Sequence, residues 1–419
     1  MIIPEIEFKF HTLSNGLKVF LHRNTKIPVV SVHTMFHVGS KYEEDGKSGL
    51  AHLFEHLMFE GSPNVKPGQF DLMLQNRGGN SNAYTSYDVT SYHMTVPSNE
   101  LEFALWLDSD RYTGFNISEE SLEIQKDVVL EEKLTYVDNS PYGSVEDESS
   151  KRLFSNSGYK RTVIGEMDDV KNLTLTDLKN FFNKYYHSEN SVISVSGDID
   201  YDESLELITK YYSAFNKGVK TEKPEFNDPE LSNEKIDIVY DKITNPGIFL
   251  NYRVPKVGEE DFYAFKIISN LLSSGKSSML YKDLIYDLQL CNEVSAGIYG
   301  AEDVGLFSIS AISNEDKTPE EILVKIDLIL ERIFNGEFPD SVYSKILNKI
   351  ETDFYKTRNL INTVADRLCY YQNVLNNPNL INSEIKKYFE FDKNKIITAA
   401  KKYLQKNKRV VLFYMPEKN

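Results

Sequence analysis

Apolar residues along this chain recur with two spacings, and each spacing names an element. Alternation with period two runs through Leu17–Leu21 and Val29–His37, and again through Ile236–Tyr240 and Gly247–Val254. Successive side chains of an extended strand point to opposite faces, so these runs predict half-buried strands. A further strand is expected over Asn82–Met94, and helices over Leu101–Tyr112 and Leu122–Tyr136. Between the first strands and Asn82, Leu50, Leu53, Phe54, Leu57 and Met58 repeat at helical spacing. They form an apolar stripe that anchors a short helix in a core.

The pattern is written twice. Lys184-Tyr185-Tyr186 with Val192-Ile193 matches Lys402-Tyr403-Leu404 with Val410-Val411, and the offset (402 − 184 = 218) is the same one that brings Pro28 onto Pro246. A polar stretch over Asn216–Lys235, carrying Pro224 and Pro229, reads as a linker. The expected organisation is therefore a domain over 1–215, a linker over 216–235 and a second, homologous domain over 236–419. Strands and helices come in blocks rather than in strict alternation, which indicates the α+β class, with two α/β-sandwich halves.

Composition narrows the partners. The formal net charge is −16 and the pI near 5.1 over 419 residues, so nucleic acid and anionic membrane surfaces are excluded as main partners by repulsion. Cys291 and Cys369 are the only cysteines, so any metal falls to histidine and carboxylate rather than to a thiolate site or a disulfide framework. The N-terminus lacks a basic segment followed by an apolar one, and no run of about 18 apolar residues occurs. A cytoplasmic protein without a transmembrane segment is expected, or a periplasmic or secreted one from which a signal has been removed.

The helix with the apolar stripe also carries the candidate chemistry. His52, Glu55 and His56 spell H-x-x-E-H, the inverted order of the zincin motif. Imidazoles at i and i+4 lie one turn apart and converge on one Zn²⁺, and a glutamate beside them is placed to take the proton of an attacking water. Shifted by the same offset, His52 and His56 fall on Asn270 and Ser274, so the second half keeps the architecture without the site. His11, His22, His33, His37, His93 and His187 have no partner at ligand spacing and read as structural.

A second segment, Gln125-Lys126-Asp127-Val128-Val129-Leu130-Glu131-Glu132, ends a helix in paired acids. H-x-x-E-H followed by V-V-x-E-E resembles the M16, pitrilysin-like metallopeptidases, a group that includes the mitochondrial processing peptidase. Gly49-Leu50-Ala51-His52, Gly78-Gly79, Leu107 through Arg111, Pro141-Tyr142-Gly143, Val163-Ile164-Gly165 and Ser196-Gly197-Asp198 extend the resemblance over the whole chain. It implies a duplicated fold forming half of a clamshell chamber, and a zinc endopeptidase of peptides or unfolded segments. One Zn²⁺ per chain would be held by His52, His56 and Glu132, with Glu131 as runner-up and Glu55 as general base. Asn82, Ala83, Tyr84 and Thr85 would be the edge strand to which a substrate peptide adds.

Two features depart from the family. Gln125 stands where many members carry a glutamate, and is expected to support the site by hydrogen bonding. An Arg and a Tyr seven residues later, frequent in the second half of the family, are replaced by Ile285 and Asn292. The chain therefore resembles the zinc-bearing member of a two-chain enzyme. A second M16-like subunit is expected, as a heterodimer or alternatively a homodimer, and a non-catalytic scaffold or peptide-binding subunit is the competing reading.

Overall fold

A computed structural model of the protein describes residues 4–417. The first sheet contains β1 (Lys9–Thr12), β2 (Lys18–Arg23), β3 (Val29–Phe36), β4 (Asn80–Thr85), β5 (Thr90–Pro97) and β6 (Ser191–Gly197), in the order β1-β2-β6-β3-β5-β4. The second contains β7 (Lys235–Asp241), β8 (Gly247–Val254), β9 (Cys291–Gly300), β10 (Gly305–Ser313) and β11 (Arg409–Pro416), in the order β7-β11-β8-β10-β9. The helices are, in chain order, α1 (Leu50–Leu57), α2 (Phe70–Gln75), α3 (Leu101–Asp110), α4 (Glu119–Lys133), α5 (Val145–Leu153), α6 (Met167–Asn172) and α7 (Leu175–Tyr185). They continue with α8 (Tyr201–Tyr212), α9 (Glu260–Ser273), α10 (Pro319–Phe334), α11 (Asp340–Arg358), α12 (Ile361–Asn373), α13 (Leu380–Phe389) and α14 (Lys393–Tyr403).

The duplication is visible in the topology. Removing β1 leaves five strands whose order maps one to one onto the second sheet. In both, the first strand of the repeat pairs in parallel with the last, and the remaining pairs are antiparallel. One face of each sheet packs on helices of its own half. In the first unit Val30, Val32 and Phe36 of β3 join Leu53, Phe54 and Leu57 of α1 and Phe181 and Phe182 of α7 in one core. In the second, Ile248, Leu250 and Tyr252 of β8 and Phe307 and Ile309 of β10 are buried, as are Phe265 and Ile268 of α9 and Ile322 and Ile326 of α10.

The expected strand over Asn82–Met94 is a hairpin instead. β4 and β5 are joined at Ser86, whose backbone N–H donates to Val89 O at 2.8 Å while its hydroxyl accepts from Val89 N at 3.0 Å. A serine that satisfies its own turn needs no glycine or proline to mark it. The helix expected over Leu122–Tyr136 remains α-helical only to Lys133 and widens into a π turn over Leu134–Asp138. Lys133 turns inward there, donating from Nζ to Gly165 O at 2.9 Å.

The compact units interleave along the chain. Among the described residues the first comprises those up to Lys133, Arg161–Glu225 and Tyr355–Ser383; the second comprises Leu134–Lys160, Phe226–Phe354 and those from Glu384 to 417. Residues 216–234 carry no helix or strand and fall between the two sheets along the chain. The halves 1–215 and 236–419 nevertheless do not each close on themselves. α5, from the first half, packs on β11 and β8, and α12, from the second half, packs on β3, β6 and β2. Moving α5 by the repeat offset places it at 363–371 (145 + 218 and 153 + 218), inside α12. The duplicated helix is thus exchanged between the halves.

Beneath α12 lies the polar side of the first sheet. His33 and His93, opposite one another on β3 and β5, stack with ring centroids 4.7 Å apart and planes at 7°. His33 Nε2 is hydrogen bonded to Asn362 Oδ1 of α12, and Tyr84 donates to Asp366 Oδ1 at 2.7 Å. Asn373 Nδ2 donates to Met35 O at 3.1 Å. Residues 1–225 expressed without α12 would leave these groups uncovered, and such a fragment is expected to lack a cooperative unfolding transition; a sharp transition by circular dichroism would contradict the exchange.

Burial also sets a pH dependence. It holds His22, His33 and His93 down at about 4, against about 6.5 in an unfolded chain. Between those values the unfolded state binds more protons than the folded one, so folding stability rises with pH from 4 to 6.5 and is lost on acidification through that window. Replacing His33 by glutamine is expected to flatten the slope of urea-derived stability between pH 6.5 and 4, by about 1 kcal/mol or more across the window. An unchanged slope would assign the acid sensitivity elsewhere.

Candidate metal centre

The site starts from the way α1 is held. Its apolar side, Leu50, Leu53, Phe54 and Leu57, is buried, and burying a large aliphatic or aromatic side chain contributes about 1.5–3 kcal/mol. That fixes the rotation of the helix and leaves His52, Glu55 and His56 half-buried on the other side. The helix begins at Gly49, which takes φ +82° and where a Cβ would meet Ile164 O at 2.7 Å. Glycine has no side chain to cap the first turn, and Glu43 supplies the acceptor: its carboxylate receives Gly49 N at 3.1 Å and Ala51 N at 2.8 Å. Burial pushes the Glu43 carboxyl up to about 8, opposed by those two N–H groups and by Arg161.

α4 packs beside α1 and brings the second component. Glu132 Oε2 lies 3.5 Å from His56 Nε2 and 3.8 Å from His52 Nε2. The imidazole centroids are 4.8 Å apart with planes at 77°. The three ligand atoms lie within 4.8 Å of one another. Bonds of about 2.0–2.2 Å to a tetrahedral zinc put ligand atoms about 3.4 Å apart, so two ring nitrogens and one carboxylate oxygen at these separations fit that ion in donor type and in spacing. Glu131, the alternative left open by the paired acids, is exposed and lies outside this cluster.

Neighbouring groups tune the members. Burial holds His52 down at about 4, with His56 adding to the effect, so its ring is neutral and offers a lone pair. Burial raises Glu55 to about 7; a hydrogen bond from Thr85 Oγ1 at 2.6 Å pulls it down and Glu132 pushes it up. Gln125, two turns before Glu132 on α4, accepts through Oε1 from His56 Nδ1 at 3.3 Å. An amide oxygen only accepts, so this bond calls for a proton on Nδ1, the tautomer whose lone pair lies on Nε2.

The four candidate strand residues divide between the two sides of β4, the outermost strand of its sheet. Thr85 bonds Glu55, and Ala83 packs against the core beside α1. Tyr84 turns to the opposite face, to Asp366, and the side chain of Asn82 accepts from Ala83 N at 2.9 Å. In the second unit Ile285 lies in a π turn over Tyr281–Asp287, and Asn292 Nδ2 of β9 donates to Ser313 O at 3.5 Å. Glu43 and Thr85 act at the site in ways the chain alone does not announce. For Glu43 a signal exists, a helix start at Gly49 with no capping side chain of its own; for the bond from Thr85 to Glu55 there is none, because its partner is set by strand packing.

Two imidazoles and a carboxylate thus meet on neighbouring helices in the first of two units that share one strand order. Residues 18–166 match the family profile described as Insulinase (Peptidase family M16), and residues 172–350 match the one described as Peptidase M16 inactive domain. The chain belongs to the M16 peptidase family. It is 29% identical over 411 residues to the zinc protease PqqE of Helicobacter pylori, covering 97% of this chain and 92% of that one. The Bacillus subtilis zinc protease YmxG is 27% identical over 304 residues, 72% of each chain. A crystal structure of a protease from Helicobacter pylori superposes with a TM-score of 0.94 at 29% identity, covering 98% of this chain and all of that one. An M16 inactive domain from Pseudomonas fluorescens, at 17% identity, shares the fold with a TM-score of 0.89. Among the described residues no helix is long and apolar enough to cross a membrane.

Replacing Glu43 by alanine removes both acceptors from the start of α1. The variant is expected to lose about 2 kcal/mol of stability in urea titration, with Glu43→Gln, which keeps one acceptor, falling between it and the parent. Equal stability of all three would show that Glu43 does not cap the helix.

Proposed function

We propose that this chain is a zinc metalloendopeptidase that hydrolyses peptides or unfolded segments, with Zn²⁺ held by His52, His56 and Glu132. The observation that carries the reading is the convergence of these three ligand atoms beside Glu55, in a chain whose relatives include proteins named zinc proteases. When bound, zinc supplies Lewis-acid polarisation of the scissile carbonyl and acidification of water. Glu55 takes the proton of the attacking water and returns it to the leaving amine, and a carboxyl raised to about 7 by burial suits both transfers near neutrality. Thr85 keeps one carboxylate oxygen of Glu55 engaged and aims the other. The free edge of β4 accepts an extended peptide by backbone pairing, which selects conformation more than sequence.

Glu55→Gln keeps the shape and removes the base. It is expected to retain one zinc per chain by metal analysis and to lose cleavage of an unstructured peptide by at least about 100-fold, whereas Glu132→Gln is expected to lose the zinc. Undiminished cleavage by the Glu55 variant would overturn the reading.

The positions in the second half where an Arg and a Tyr are frequent in the family hold Ile285, which has no polar group, and Asn292, whose amide is turned to Ser313. A second M16-like subunit would supply those contacts to substrate. Full turnover is then expected only when such a subunit is added, and efficient turnover by the purified chain alone would remove the need for it.

A further inference from the structure

The Gln125 amide has one end that accepts and one that donates, and the two are the same size. Only one of its orientations serves His56. With Oε1 toward the ring, His56 carries its proton on Nδ1 and presents a bare Nε2; with the NH₂ group toward the ring, Nδ1 must accept and the proton sits on Nε2, the atom that faces Glu132. A carboxylate at position 125 would have no such ambiguity. Something else has to fix the amide.

Glu60 does so. It sits four residues after His56, just beyond α1, half-buried, and its Oε1 accepts from Gln125 Nε2 at 2.7 Å. The Glu60 oxygen accepts that bond, so the amide nitrogen is held against Glu60 and the amide oxygen is turned toward His56. The chain Glu60, Gln125, His56 therefore reads in one direction, ending in a lone pair on Nε2. His52 has no equivalent: its Nδ1 is buried and meets no hydrogen-bond partner among the described residues.

We infer that Glu60 is a positioning residue that sets the tautomer of His56 through the Gln125 amide, and that metal affinity depends on it although it is not a ligand. The inference rests on the proposed zinc site but not on peptidase activity. Glu60→Lys exchanges the acceptor for a donor, so the amide turns over, His56 is driven to the wrong tautomer, and zinc affinity is expected to fall about 10–100-fold. Adding Gln125→Glu to that variant restores an acceptor that serves the introduced ammonium group and His56 together. The double variant is expected to regain affinity to within about threefold of the parent, because side chains that tune a ligand through one hydrogen bond act through that bond.

Two readouts decide it: the zinc dissociation constant by competition with a chromophoric chelator, and ¹⁵N NMR of the His56 ring in metal-free protein, which reports the protonated nitrogen and needs neither metal nor activity. The parent is expected to carry the proton on Nδ1, Glu60→Lys on Nε2, and the double variant on Nδ1 again. Should Glu60→Lys fail to fold, the near-isosteric Glu60→Gln is expected to show both tautomers, since its own amide accepts either orientation of Gln125. An unchanged tautomer in the folded Glu60 variants, or a double variant that binds zinc no better than Glu60→Lys, would overturn the inference. A parent that binds zinc yet cleaves nothing even with a second M16-like subunit present would instead refute the peptidase reading and leave this one standing.

Discussion

The burial of the apolar side of α1 is the constraint on which the rest of the site depends. Leu50, Leu53, Phe54 and Leu57 can enter the core in only one rotation of the helix, and that rotation delivers two imidazoles and a carboxylate to the opposite side. Every further element of the site adjusts to it. α4 supplies Glu132 and Gln125 from two turns of a single helix, Glu43 satisfies the first turn of α1, and β4 brings Thr85 to Glu55. A loss of packing in this core therefore misplaces candidate ligands that it does not touch.

The same sheet shows how one layer serves two purposes. Its α1 side is almost wholly apolar, while its α12 side carries a stacked histidine pair, buried serines and the Tyr84 to Asp366 bond. Side-chain alternation lets a single strand address both: on β4, Thr85 reaches the candidate base and Tyr84, one residue earlier, ties the strand to α12. The edge strand proposed to receive substrate is thus held from behind by a helix from the other end of the chain.

Much of this was legible in the residues. The stripe on α1 and the limits of β8 follow from periodicity, and one repeat offset announced the duplication that the strand orders display. What was hidden depended on distance along the chain. Ser86 turns the β4–β5 hairpin inside a run that otherwise reads as one strand. Helical spacing alone did not separate Glu131 from Glu132, since adjacent residues on a helix differ by about 100° and the chosen one depends on where α1 lies. Glu43, Glu60 and Thr85 act through atoms whose partners are decided by packing. The assignment of α12 to the first sheet has no local signal, because an amphipathic helix records that it has a partner but not which one.

The exchange of α5 and α12 bears on how such a chain could arise. A protein made of one half alone would have a sheet whose second face is covered only by a helix from another copy, so it would be complete as a pair of identical chains lending each other that helix. Joining two copies in tandem then changes no contact. It replaces an encounter between molecules by one within a molecule, at an effective concentration fixed by the connecting segment. Once joined, the copies are free to differ, and only one of them needs to retain His52, Glu55 and His56. The loss of the motif at Asn270 and Ser274 is what such freedom permits.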